Sequence, residues 1–419
     1  MRTKIKIAAT ALVILSTVLS AYSQDKKIAY YKQNDQSGVN MFEAPHFDTL
    51  EFTGLQVKIG GANTMQFQGI SQSGDHEDLN ELSPNFNLAT ANLDIDVQLH
   101  RGLRMHLRTY LSSRHHPEAW VKGGYIQVDR LDFIRDDFLD GLMDMVTIKV
   151  GHMQINYGDA HFRRSDNGQA IFNPFVGNYI MDSFTTEVGG EFYFQHNGFL
   201  VMVGLTNGKL NQSTVVTDPE TKVSYVGKLG FDRQFNEDLR LRLTGSIYTS
   251  SQTPSLYLYS GDRAGSRYYD IIEDSRMSGR IAPDFSPRGV GGEMTSFMIN
   301  PFIKYHGFEL FGVFESASGK AIDEQDTRTY NQYAAELLYR FGNNENLYVG
   351  GRYNVVAGEQ SDGNNINVER FNIGGGWFLT NNVLAKIEYV NQAYDGYQAG
   401  DIRENAKFSG IVLEAVVSF

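Results

Sequence analysis

Apolar and polar residues alternate along most of this chain. In "LRMHLRTYL", Leu103, Met105, Leu107 and Leu111 oppose Arg104, His106, Arg108 and Tyr110. "LRLRLTGSI" sets Leu239, Leu241, Leu243 and Ile247 against Arg240, Arg242, Thr244 and Ser246. "NLDIDVQLH" sets Leu93, Ile95, Val97 and Leu99 against Asn92, Asp94, Asp96, Gln98 and His100. A helix would scatter these residues around its circumference, whereas a strand sorts them onto two faces. The pattern predicts strands near 54–68, 87–100, 103–112, 120–131, 146–156, 185–196, 199–206 and 223–234. It predicts eight more near 238–249, 294–305, 308–316, 330–341, 347–357, 367–379, 383–393 and 407–419.

Length and connection decide what these strands build. Many exceed the roughly 5–6 residues usual in soluble sheets, and ~9–11 residues suffice for a tilted strand to cross a bilayer. Tight turns fall at "RG" (101–102), "NG" (197–198), "QFNED" (234–238), "HG" (306–307), "GNNEN" (342–346) and "TNN" (380–382). Their residues suit hairpins. Between them lie long polar links near 69–86, 157–184, 207–222, 250–293, 317–329, 358–366 and 394–406. The link 132–145 breaks the rule and reads as a small amphipathic helix. This layout predicts an all-β fold over 54–419: a transmembrane antiparallel β-barrel of about sixteen strands, with short periplasmic turns and long extracellular loops. Closure pairs the last strand with the first and leaves no exposed edge.

The first residues read as a signal peptide, 1–23. Arg2, Lys4 and Lys6 precede an apolar run from Ile7 to Leu19, and Ala21 and Ser23 form a small-residue cleavage site. That run is too short for a spanning helix, which needs ~20 residues. Residues 24–53 are then an N-terminal periplasmic segment. The chain has no Cys, so neither a disulfide framework nor a thiolate metal site is expected. Its formal net charge of −12 becomes more negative once the three signal cations leave, which argues against a nucleic-acid partner. Gly 42, Phe 27 and Tyr 23 against Pro 9 fit a strand-rich chain without helical spans.

The last residues, "SGIVLEAVVSF", place Leu413, Ala415, Val417 and Phe419 on one face. With the signal peptide and the loop layout, the whole expected mature chain resembles Gram-negative outer-membrane porins. Their final strand ends on an aromatic residue read by the barrel-insertion machinery. The resemblance implies that Phe419 is the insertion signal, that the protein sits in the cell outer membrane among lipids and lipopolysaccharide, and that it is no enzyme. "VTIKVGHMQINYGD" before a long loop resembles the phosphate-selective porin O/P superfamily, which implies a homotrimer and a basic pore. The "SAYSQ" cleavage style and Gly/Asn-rich turns look like those of the Bacteroidetes group.

The strand face opposite the apolar one supplies the pore lining. It carries Arg104, Arg108, Lys149, Arg240 and Arg242 with Asp94, Asp96, Glu187 and Glu191. Further along, the same face carries Arg340, Arg352, Arg370 and Lys386 with Glu309, Glu315, Glu336, Glu388 and Glu414. These charges nearly balance, so the acidity of the whole chain does not oppose anion passage. The steps Arg104/Arg108 and Arg240/Arg242 place like charges together, an arrangement an anion would relieve. Loop 157–184 mixes Arg163, Arg164 and Asp166 with Phe162, Ile171, Phe172 and Phe175, and its apolar content predicts that it folds inward as a constriction loop. The bland alternative pairs Arg163 and Arg164 with Asp159, Asp166 or wall carboxylates such as Glu187.

Other chemistry is thin. His115 and His116 point to opposite strand faces and lack a third ligand, so no metal is expected. "SGDHEDLNE" (73–81) and "DEQD" (323–326) are solvated acidic runs, or cation sites bridging lipopolysaccharide. His161 and Ser165 share a loop but do not make a hydrolase triad by proximity in sequence. No motif calls for a cofactor. Passive diffusion of small hydrophilic solutes or ions, anions included, is the leading reading. A structural or partner-docking barrel, supported by the long loop 250–293, is the alternative, and a membrane lipase comes last.

Overall fold

The computed structural model describes residues 28–111, 119–165, 168–260, 268–272, 279–287 and 289–419. The expected signal peptide (1–23), His115, His116 and Asp166 lie outside them. Among the described residues, sixteen antiparallel strands close into one barrel in which each strand pairs with its chain neighbours and β1 pairs with β16. They are β1 (Gln56–Ser73), β2 (Asn85–His100), β3 (Leu103–Leu111), β4 (Ala119–Val128), β5 (Val146–Gln154), β6 (Thr186–His196), β7 (Phe199–Thr206) and β8 (Ser224–Gln234). The second half is β9 (Leu239–Thr253), β10 (Gly292–Tyr305), β11 (Phe308–Ala321), β12 (Arg328–Phe341), β13 (Leu347–Glu359), β14 (Asn365–Thr380), β15 (Val383–Asp395) and β16 (Lys407–Ser418).

The expected turns close the hairpins. Asn197 and Gly198 both take positive φ, 51° and 88°, as a two-residue hairpin turn requires. Gly102 is also left-handed, at φ 63°, and a Cβ there would stand 2.3 Å from the Cβ of Arg130. The link 132–145 holds one helical turn, α1 (Asp140–Met143), rather than a longer helix.

Several strands run past their expected ends. β11 continues through "SASGKA", and residues 69–73 of β1 still pair with 407–411 of β16. Outside an apolar layer both faces of a strand meet water, so alternation fades while the hydrogen-bond ladder continues. Polarity there was a poor marker of strand ends.

Side-chain orientation follows the alternation. Arg242 is 4 % exposed while its neighbour Leu243 is 55 % exposed on the outside. The outer wall is apolar between two rows of aromatics. Tyr305, Phe308, Tyr339, Phe341, Trp377 and Phe419 lie towards the short-turn end, and Phe297, Phe314, Tyr333, Phe371 and Tyr389 lie higher. Tyr333 and Tyr339 are six residues apart on β12, about 20 Å along a strand. That is close to the ~25 Å apolar band, flanked by aromatic girdles, of membrane barrels.

Candidate functional site: the barrel lumen

Three segments fold into the lumen. Residues 28–48 of the stretch assigned above to the periplasmic side enter the short-turn end of the barrel. Gln36 N donates to Asn381 O at 2.8 Å in the β14–β15 turn, and Asn40 Nδ2 donates to Glu309 Oε2 at 2.7 Å. Phe42 is 3 % exposed and packs against Phe162, Phe302 and Phe311 at centroid distances of 5.9, 5.3 and 6.3 Å. Glu43 pairs with Arg242 at 2.8 Å.

The second segment is loop 155–185, which crosses from β5 and β6 to the opposite wall. Ile180 N donates to Asn354 Oδ1 at 2.7 Å, Met181 N to Gln332 Oε1 at 2.8 Å, and Val176 N to Glu388 Oε2 at 2.8 Å. In return Lys386 Nζ donates to the carbonyls of Ala170 and Phe175 at 3.1 and 3.0 Å. The described parts of loop 254–291 lie across the long-loop end. Tyr259 Oη donates to Glu315 at 2.7 Å and Tyr268 Oη to Glu388 at 2.5 Å. Ile281 N donates to Ile180 O at 2.9 Å, joining this loop to the crossing one. Apolar residues of both loops and inward residues of β10–β16, among them Met298, Phe302, Phe311, Val356, Val368 and Val412, form one buried cluster. The lumen therefore contains a hydrophobic core that runs from β6 round through β16 to β1 and is widest along β10–β16.

The pore-lining residues named from sequence all lie on the inner face, but most have protein partners. Arg104 donates to Asp96 at 2.9 Å, and Arg108 grips Asp94 through two bonds of 2.7 and 2.6 Å. Arg240 holds Asp232 at 2.8 and 2.7 Å, and Arg242 reaches Asp159 at 2.8 and 2.9 Å. The stepped arginines thus need no anion to relieve their repulsion, because each faces its own carboxylate. Glu187 accepts from Thr206 and from Tyr248 Oη, the latter at 2.9 Å, and Glu191 accepts from Asn156 N at 2.9 Å.

Arg163 and Arg164 are each 3 % exposed. Arg163 pairs with Glu309 and Glu336 at 2.7 and 3.0 Å, and Arg164 with Asp182 through two bonds of 2.7 Å. Both guanidiniums are clamps rather than groups facing open lumen. A charge this buried costs several kcal/mol unless it is paired, and here the partners are the wall carboxylates Glu309 and Glu336 and the loop carboxylate Asp182. Burial opposes ionisation of Asp159, but Arg242 and Lys228 outweigh it and hold its carboxyl below the usual range. Burial, helped by Lys228, pushes His161 well below its ordinary value, so it is neutral at pH 7.

The open space lies on the opposite side. A cavity of about 180 Å³ runs along β3–β6 and is lined by Lys32, Arg104, Arg108, Lys122 and Lys149, with Glu43 as its one acidic side chain among the described residues. A wider cavity of about 500 Å³ opens at the short-turn end, and Phe42, Glu43 and Ala44 line both. Lys32, Glu43 and Lys122 were missed by the sequence reading. Lys122 sits in β4, whose alternation breaks at Gly123 and Gly124. Lys32 and Glu43 belong to "YYKQNDQSGVNMFE", where an aromatic-rich makeup is the signal that this is no plain linker.

No protein-family model matches the chain, and no curated protein matches it. Solved structures do. OmpT of Vibrio cholerae, in its trimer form, superposes with a TM-score of 0.54 at 10 % identity, covering 87 % of this chain and 100 % of that one. An anion-selective porin from Comamonas acidovorans gives the same TM-score and identity over 87 % of this chain and 100 % of its own. The outer-membrane channel DcaP of Acinetobacter baumannii aligns at 0.54 and 10 % identity over 88 % of this chain and 99 % of that one. The fold is that of a sixteen-stranded porin-like barrel.

Proposed function

We propose that this chain is an outer-membrane channel for small hydrophilic solutes and that it favours anions. The observation that supports this most directly is the cavity along β3–β6, whose charged lining among the described residues is five cations to one carboxylate, inside a barrel with an apolar exterior. Oriented charges at a narrow, poorly hydrated point act more strongly on an ion than the same charges in bulk water. Loop 155–185 narrows the lumen by covering the β10–β16 wall; Arg163 ties it there through Glu309 and Glu336, and Arg164 braces the loop on its own Asp182. Anion selectivity is named for the Comamonas porin and a trimer for one OmpT form; both carry over here as proposals, the second as a homotrimer. Phe419 is proposed as the insertion signal.

Single-channel recording in planar bilayers with a salt gradient tests the channel reading. The expected result is discrete conductance steps with a reversal potential on the anion side. A folded barrel that gives no conductance would favour a second reading, a structural or partner-docking barrel. The apolar filling of much of the lumen is what speaks for that alternative.

A further inference from the structure

Two of the cations in the β3–β6 cavity differ from the rest. Among the described residues neither Lys32 nor Lys149 has a carboxylate within ion-pairing distance, whereas Arg104 and Arg108 are matched to Asp96 and Asp94. Lys32 Nζ stands over the rings of Phe172 and Phe162 at 4.0 and 5.6 Å. Lys149 Nζ stands over Tyr193 and Tyr125 at 4.8 and 5.8 Å, and its one hydrogen bond, to Tyr193 Oη, is long at 3.4 Å. Ring faces stabilise an ammonium only partly, by about 0.5–2 kcal/mol.

Two of the lining residues also carry enclosed donors with no partner among the described residues. Asn34 Nδ2 and Arg104 Nε are buried without any hydrogen-bond partner, in residues 7 % and 4 % exposed. Such groups are rare in native structures because each costs about 1–3 kcal/mol. Gln169 Oε1 is an orphaned acceptor on the same wall. Six aromatic side chains, Tyr31, Phe42, Tyr125, Phe162, Phe172 and Tyr193, make up much of the remaining lining. Burial pushes the Lys32 ammonium down to about 7, with Glu43 pulling the other way, so an anion beside it would restore its full charge.

We propose that this cavity is a binding site for a small organic anion, a carboxylate on a flat apolar body, and that the N-terminal segment completes it by supplying Asn34 and Lys32. The carboxylate takes the unmatched ammoniums of Lys32 and Lys149. The apolar body lies among the rings. The proposal rests on the channel reading only for how the ligand arrives.

Isothermal titration of the detergent-solubilised full-length barrel with benzoate tests it, with inorganic phosphate and benzylamine as comparisons. Benzoate should bind, phosphate should bind more weakly for want of an apolar body, and benzylamine should not bind. Lys32→Gln and Lys149→Gln should each weaken benzoate about tenfold or more, as expected for a lost charge-assisted contact. Lys149→Arg should keep most of the affinity, which separates loss of charge from loss of fold. Lys222→Ala, at an exposed pair with Glu220, should change nothing. Absence of benzoate binding, equal binding of benzylamine, or unchanged affinity in Lys32→Gln would overturn the site. If conductance persists without benzoate binding, only this inference fails. If benzoate binds to a barrel that does not conduct, the channel reading fails and the site stands.

Discussion

Truncating Phe42 to Ala should release the N-terminal segment from the lumen while leaving the barrel intact. The ring is 3 % exposed and touches three other phenylalanines, and the Arg242 guanidinium lies 4.4 Å from its centroid. Removing a buried Phe costs about 3–5 kcal/mol. Little of this should fall on the barrel, whose sixteen-strand hydrogen-bond ladder does not involve residue 42. It should fall on the equilibrium between docked and released segment, raising the released fraction by about two to three and a half decades at 1.4 kcal/mol each. Trypsin reports that fraction, because the peptide bond after Lys32 is protected only while the segment is docked. Reconstituted Phe42→Ala barrel should be cut there within minutes, remain heat-modifiable on a gel, and conduct more than wild type, since Phe42 and Glu43 stand between the two cavities. If cleavage rate and conductance both match wild type, the segment is not held by this packing and does not obstruct the short-turn end.

Ile299 lies half-exposed on the outer wall between the aromatic rows, so Ile299→Arg should destabilise the barrel in lipid by about 2–4 kcal/mol. Ser251→Arg, at the outer end of β9, should cost almost nothing, and equal costs at the two sites would argue against a bilayer around this wall. Phe419 exchanges backbone hydrogen bonds with Gly61 at 3.0 and 3.1 Å, which a Ser would keep. Phe419→Ser should therefore lower the amount inserted in the outer membrane without lowering the unfolding midpoint of what does insert, and normal insertion would remove the proposed signal role.

The strand order and inner face could be read from alternation because period two survives wherever one face meets an apolar layer. Arg104, Arg108, Arg240 and Arg242 are all inward for that reason. Their partners were less legible, since Asp232 lies across the β8–β9 ladder while Asp159 arrives from a loop. The apolar content of the crossing loop, Phe162, Phe172 and Phe175 among it, carries no direction, so the glutamates that hold Arg163 could not be chosen from sequence. The docked segment 28–48 was not legible as such. It lacks alternation and helical period, and its place is set by contacts with residues some 200–270 positions away, such as Arg242 and Glu309.

The loops that tie into the lumen have a consequence for sequence drift. Loops at the outer end of such a barrel are ordinarily where a cell-surface protein changes most freely. Here Tyr179, Tyr259 and Tyr268 donate to Glu336, Glu315 and Glu388 on the wall, and a change in either member strands a buried polar group. The two longest loops must therefore evolve in step with strands β11, β12 and β15. Variation is freer in a shorter outer link such as 207–223, where Val215 and Val216 are exposed. The freer parts of that end would then form a rim around a centre fixed by these contacts.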